Sequence, residues 1–133
     1  MSQGFSFARA DGGAELLNGT ATTGETTIAV QTTLVAAATR LSSGYNRAIP
    51  VTGSTAVVLP QNQPVGVPIV VTNYAATAVS LLVFPPWNTT TGAAAGGKIN
   101  NGAADAPFSV AQGKTAVFFP LPNSVDYAAV LSA

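Results

Sequence analysis

The sequence contains no cysteine and no histidine. The first absence excludes disulfides, thiol nucleophiles and cysteine-ligated zinc or iron–sulfur sites. The second removes the usual general base near neutral pH and the commonest metal ligand. Charge is scarce as well: Asp, Glu, Lys and Arg make up 8% of the chain, against about a quarter in an average soluble domain. Most enzyme classes are therefore poor candidates, and neither a catalytic residue, a metal site nor a cofactor is expected. Five basic residues balance five acidic ones, and positive charges this thinly spread form no basic patch, which argues against nucleic acid as a partner. Long apolar runs are missing too. Val65 to Val71 and Ala78 to Pro86 are the longest, interrupted by proline or serine and far short of the ~20 residues of a membrane-spanning helix. No membrane partner is expected. The start, Met1-Ser-Gln-Gly-Phe, has neither a basic opening nor an apolar run, so it does not read as a secretory signal and synthesis in a cytoplasm is expected.

Hydrophobic residues reach 47% of the 133, with 13 Gly and 9 Pro. The surface must then be covered by Thr, Ser, Asn, Gln, Gly and apolar atoms. With a formal net charge of zero, little electrostatic repulsion keeps copies apart. This combination points to a surface partly covered by other subunits, hence to a homo-oligomer. The length fits one domain, which buries roughly two thirds of the surface its unfolded chain exposes and needs no staple.

Residues 1–26 differ from the rest. They hold Asp11, Glu15 and Glu25 and a Gly/Thr-rich run from Asn18, with Leu16 and Leu17 as the only aliphatic pair. Such a stretch buries too little apolar area to offset its own ordering entropy. It reads as an extended N-terminal arm, in which Phe5, Phe7 and Arg9 lie close enough along an extended chain to contact a partner.

Residues 27–133 read as short strands. Ile28, Val30 and Thr32, and then Thr55 to Leu59, show period-two alternation, and Thr33 to Leu41 is assigned as strand from its β-branched flanks. Val67, Ile69 and Val71, followed across Asn73-Tyr-Ala-Ala-Thr77 by Val79, Leu81 and Val83, predict a hairpin. Phe108 to Val110, Thr115 to Phe119 and Tyr127 to Leu131 complete seven or eight strands. Proline and glycine argue against long helices. The expected fold is all-β, a β-sandwich or jelly-roll-like domain carrying the N-terminal arm.

Three features invite a chemical reading. Gly92-Ala-Ala-Ala-Gly-Gly-Lys98 fits the spacing of a phosphate-binding loop, but Ile99 lacks the hydroxyl that holds Mg²⁺, and Asn100-Asn-Gly102 opens a turn rather than a helix. Asp105 and Asp126, the only acids after residue 26, sit beside turn residues, where side-chain to backbone hydrogen bonding is their expected work. Trp87, the only tryptophan, follows Pro85-Pro86 on the longest loop, Pro85 to Lys98. A large aromatic there is a candidate partner contact, for a glycan or a protein, or it folds back over a sheet edge. Most of Phe84, Phe108, Phe118, Phe119 and Tyr127 belong in a core.

One series of residues carries a family likeness: Ala38-Thr-Arg-Leu41, Asn46-Arg47, Val51-Thr, Gly53 to Pro60, Val70 to Asn73, Leu81 to Pro85, Gly96-Gly-Lys-Ile-Asn-Asn-Gly102, Ala106 to Val110, Gly113-Lys114 and Asp126-Tyr-Ala. Over residues 38–133 the chain resembles small β-structured virion proteins of tailed bacteriophages, including capsid decoration or cement proteins. Relative to that pattern, Trp87 to Ala95 is an insertion, and Asp126 stands where the final strand has a tryptophan. The resemblance implies no catalytic residue. It implies a trimeric or otherwise symmetric knob made in the host cytoplasm and bound, through the major capsid protein, to the outside of the head. The alternative is a tail or head fibre module that touches host-surface glycans.

Overall fold

The computed structural model describes residues 25–27, 39–50, 56–88 and 91–133. Among them are nine strands and no helix, so the described residues are all-β, as expected. The expected contacts Phe5, Phe7 and Arg9, and the strand expected around Ile28 to Thr32, lie outside the described residues.

The strands are β1 (Glu25–Thr27), β2 (Thr39–Arg40), β3 (Gly44–Ile49), β4 (Ala56–Val58), β5 (Ile69–Asn73), β6 (Leu81–Phe84), β7 (Phe108–Val110), β8 (Thr115–Pro120) and β9 (Tyr127–Leu131). The boundary expected after residue 26 thus falls inside β1. Two mixed sheets result, one of five strands in the order β1-β3-β5-β8-β9 and one of four in the order β2-β4-β6-β7. From β1 to β6 the chain changes sheet at every step. Consecutive odd strands pair in parallel, as do consecutive even strands. Parallel neighbours need a long crossover between them, commonly a helix; here each crossover contains a strand of the other sheet. Antiparallel pairing closes the fold, with β7 on β6, β8 on β5 and β9 on β8.

This topology corrects the predicted hairpin. β5 and β6 both form, but they lie in different sheets and do not pair. The reason sits at Asn73, which is fully buried. Its side chain donates to the carbonyls of Val79 (2.8 Å) and Val110 (2.9 Å) and accepts from the Ala75 amide (2.9 Å). Its backbone pairs with the turn before β8, receiving Gly113 N–H and donating to Lys114 O. These bonds carry the chain out of one sheet and into the other, so residues 73–77 make a corner. Gly113, at φ +76°, takes the left-handed conformation that turn requires.

Alternation places Ala48, Ile69, Val71, Ala116 and Phe118 of the larger sheet in one buried cluster with Val57, Leu81, Val83 and Val110 of the smaller. Each buried Val, Leu or Ile contributes roughly 1.5–3 kcal/mol before ordering entropy is counted. Phe108 meets Phe118 edge to face, with centroids 5.6 Å apart, an arrangement favoured by the ring quadrupoles. Phe119 is the exception among the expected core aromatics: it points outward and is 45% exposed. Tyr127 closes one end of the core, fully buried, with its hydroxyl donating to Pro60 O at 2.6 Å.

Candidate functional site

Trp87 is half-buried, against the outer side of the four-stranded sheet. It packs beside a second buried cluster of Ala56, Val58 and Phe84, which face away from the main core. The Arg40 guanidinium, on β2, lies 4.5 Å from its ring centroid, a cation–π contact. One bridge to Ala94 and the bond from Asn88 N to Ala93 O (2.7 Å) fold the insertion back on itself. Trp87 therefore covers hydrophobic surface of its own domain, and part of its ring is occupied by Arg40. Its indole Nε1 is enclosed with no acceptor.

The segment that fits the phosphate-loop spacing is built as a strap. Gly96 N donates to Asp105 Oδ1 (3.0 Å), and Lys98 N donates to Asp126 Oδ1 (2.8 Å). Carboxylates of the protein itself thus hold amides that a phosphate would need. Asp126 Oδ2 accepts from Asn123 Nδ2 (2.7 Å), so both acids hold turns, the role their flanking residues indicated. Between them Gly97 runs so close to the chain that a Cβ would lie 2.3 Å from Val125 O. Only glycine fits without moving backbone.

Beyond Gly97 the strap lies along the outer edge of β9. Ile99 bridges Tyr127 in parallel. Tyr127 N donates to Lys98 O, and Asn100 N donates to Tyr127 O, both at 2.9 Å. Asn100, at φ +53°, then uses its side-chain amide as a surrogate strand: Nδ2 donates to Ala129 O (3.0 Å) and Oδ1 accepts from Ala129 N (2.7 Å). An unpaired strand edge is a template for aggregation; this one is closed over Tyr127 to Ala129.

The outward side of the five-stranded sheet is different. Registers align Tyr45 with Val70, Val70 with Val117 and Val117 with Val130, while Phe119 lies opposite Ala128. All project from the same face by alternation. Tyr45 is 52% and Val130 60% exposed. The strands β3, β5, β8 and β9 contain a single charged residue, Arg47, whose guanidinium lies 4.4 Å from the Tyr74 ring centroid. Sequence reasoning missed this face. The available signal was the consecutive apolar residues Ile69-Val-Val71 and Ala116-Val-Phe-Phe119, which supply apolar side chains to both sides of a sheet rather than one.

Among the described residues no group of three or more acids, histidines or cysteines is placed to hold a metal ion. No family model, curated protein or solved structure matches this chain.

Proposed function

We propose that this protein is a structural virion component, a capsid decoration protein that binds the outside of a tailed-phage head and stabilises it, and that it is not an enzyme. The observation that carries the reading is the outward face of the five-stranded sheet, where Tyr45, Phe119 and Val130 are each about half exposed or more, a surface suited to joining copies into the symmetric knob such a protein forms. The resemblance of residues 38–133 to small phage virion proteins supports it from the sequence side. In this reading the two sheets form a sandwich around the main core, and several copies, a homotrimer by the resemblance, make a symmetric knob on the major capsid protein. Repetition by symmetry multiplies weak contacts into firm attachment. A ligand that binds only the assembled shell stabilises that shell by mass action.

The test is incubation of purified protein with empty capsids, imaged by electron microscopy. Decoration at a stoichiometry set by the lattice, with capsids that rupture at higher temperature, supports the proposal. Failure to bind capsids, together with binding to host polysaccharide, replaces it with the fibre-module reading.

A further inference from the structure

We infer that the outward face of the five-stranded sheet, centred on Phe119 and Val130, is the contact between copies of this chain. The inference deepens the homo-oligomer part of the proposed function and rests on it. Three observations support it. First, Tyr45 is 52%, Phe119 45% and Val130 60% exposed, and they lie side by side with Val70 and Val117 on one face, a contiguous exposed apolar surface of the kind found at interaction sites.

Second, the corresponding side of the other sheet is already covered: Ala56, Val58 and Phe84 are buried there, with Trp87 packed on them. On the five-stranded sheet Tyr45, Phe119 and Val130 stay exposed instead. Third, the charge distribution favours a second copy as the occupant. Identical faces repel if they carry net charge; the five strands of this sheet hold one base, Arg47, and one acid, Glu25, aligned with it in register, so the sheet brings no net charge to meet its own likeness. The strap over β9 matters too. Because Asn100 and Lys98 occupy that edge at Tyr127 to Ala129, strand pairing between copies along that part of β9 is blocked, while the face beside it is left for side-chain contact.

Light scattering coupled to size exclusion, at micromolar concentration, tests the inference. Wild-type protein is expected at a multiple of 13.3 kDa. Val130→Glu and Phe119→Glu, at exposed positions, are expected at the monomer mass with unchanged circular dichroism, whereas Val65→Glu, 63% exposed but in a loop, keeps the wild-type mass. Because the chain has no cysteine, Val130→Cys supplies a second, non-disruptive measurement. Its alkylation should run about tenfold or more slower than that of Val65→Cys, since an enclosed thiol is inert. A monomeric wild type, face variants that retain the wild-type mass, or equal alkylation rates would overturn the inference. Oligomeric protein that fails to decorate capsids removes the decoration reading and leaves this interface standing.

Discussion

Tyr127 concentrates several consequences in one side chain. Burial disfavours its ionised form and pushes its pKa far above the usual 10.0. In the unfolded chain it ionises near pH 10, while in the fold it keeps its proton and its bond to Pro60 O. A raised folded-state pKa contributes stability that is fully present below about pH 10 and is lost as pH rises beyond it, at up to about 1.4 kcal/mol per pH unit. Urea midpoints between pH 8 and pH 11 should therefore fall more steeply for wild type than for Tyr127→Phe. At pH 8 the same variant should be about 1–3 kcal/mol less stable, because Pro60 O loses its donor. Trp87 has the opposite character. Its enclosed, unpartnered N–H is a cost, so Trp87→Phe is expected to change stability by less than about 1 kcal/mol, whereas Trp87→Ala, which uncovers Val58 and Phe84, should cost roughly 2–4 kcal/mol. Thermal denaturation of the two variants distinguishes a covering ring from a binding anchor. Gly97 is the strictest position: Gly97→Ala drives a methyl group into Val125 O and should cost about 2–3 kcal/mol or prevent folding altogether.

At the scale of elements, the strap from Gly96 to Asn100 explains why a near-match to a phosphate loop lacks that loop's geometry. Gly96 and Lys98 direct amides at Asp105 and Asp126, and the chain continues as an edge cover rather than a helix. Asn100→Gly isolates that role, since glycine accepts the positive φ and only the side-chain bridge to Ala129 is removed. The expected outcome is a loss of about 1–2 kcal/mol with faster aggregation on agitation, followed by light scattering; unchanged aggregation would show that the edge needs no cover. Lys98→Ala should leave stability and every binding property unaltered, because the backbone of residue 98 makes the contacts. Strand positions were legible where period two was uninterrupted. β7 and β9 have the predicted bounds, and β4, β5, β6 and β8 overlap the predicted runs. β3 was not legible, because Gly44, Asn46 and Arg47 break the apolar alternation. Asn46 is nevertheless buried, bonding Ser42 N and O and Val70 O.

For the whole molecule, the near absence of charge makes a distinct prediction. Association through an apolar face without net charge should be insensitive to ionic strength or strengthened by sulfate, which raises the driving force for burial. Oligomers that dissociate in moderate salt would indicate electrostatic contacts instead. The N-terminal residues are tested at the same scale. Deletion of residues 1–24, which retains β1, is expected to leave the mass multiple and circular dichroism intact while weakening capsid binding. Burial of Phe5 and Phe7 would contribute roughly 3–6 kcal/mol against an ordering cost of about 1–2 kcal/mol per residue, so one copy gains little and several held together gain much. Truncated protein that decorates capsids like the full chain would place the contact in the β-structured residues alone.

Composition and alternation by themselves determined that the described residues are all-β, that their strands are short, that Asp105 and Asp126 hold turns, and that copies have little charge to keep them apart. These follow from local chemistry, since side-chain direction alternates along any strand and a carboxylate beside turn residues finds backbone amides close by. Pairing did not follow. Whether Leu81 to Phe84 lies beside Ile69 to Asn73 or across the core from it depends on where the buried Asn73 amide finds its partners, and Val110 is 37 residues away. The same holds for the two outer faces. Val58 and Val130 are equally apolar in the sequence, yet one is sealed in the cluster beside Trp87 and the other stays exposed on the single chain, because only the folded chain brings residue 87 back over one sheet.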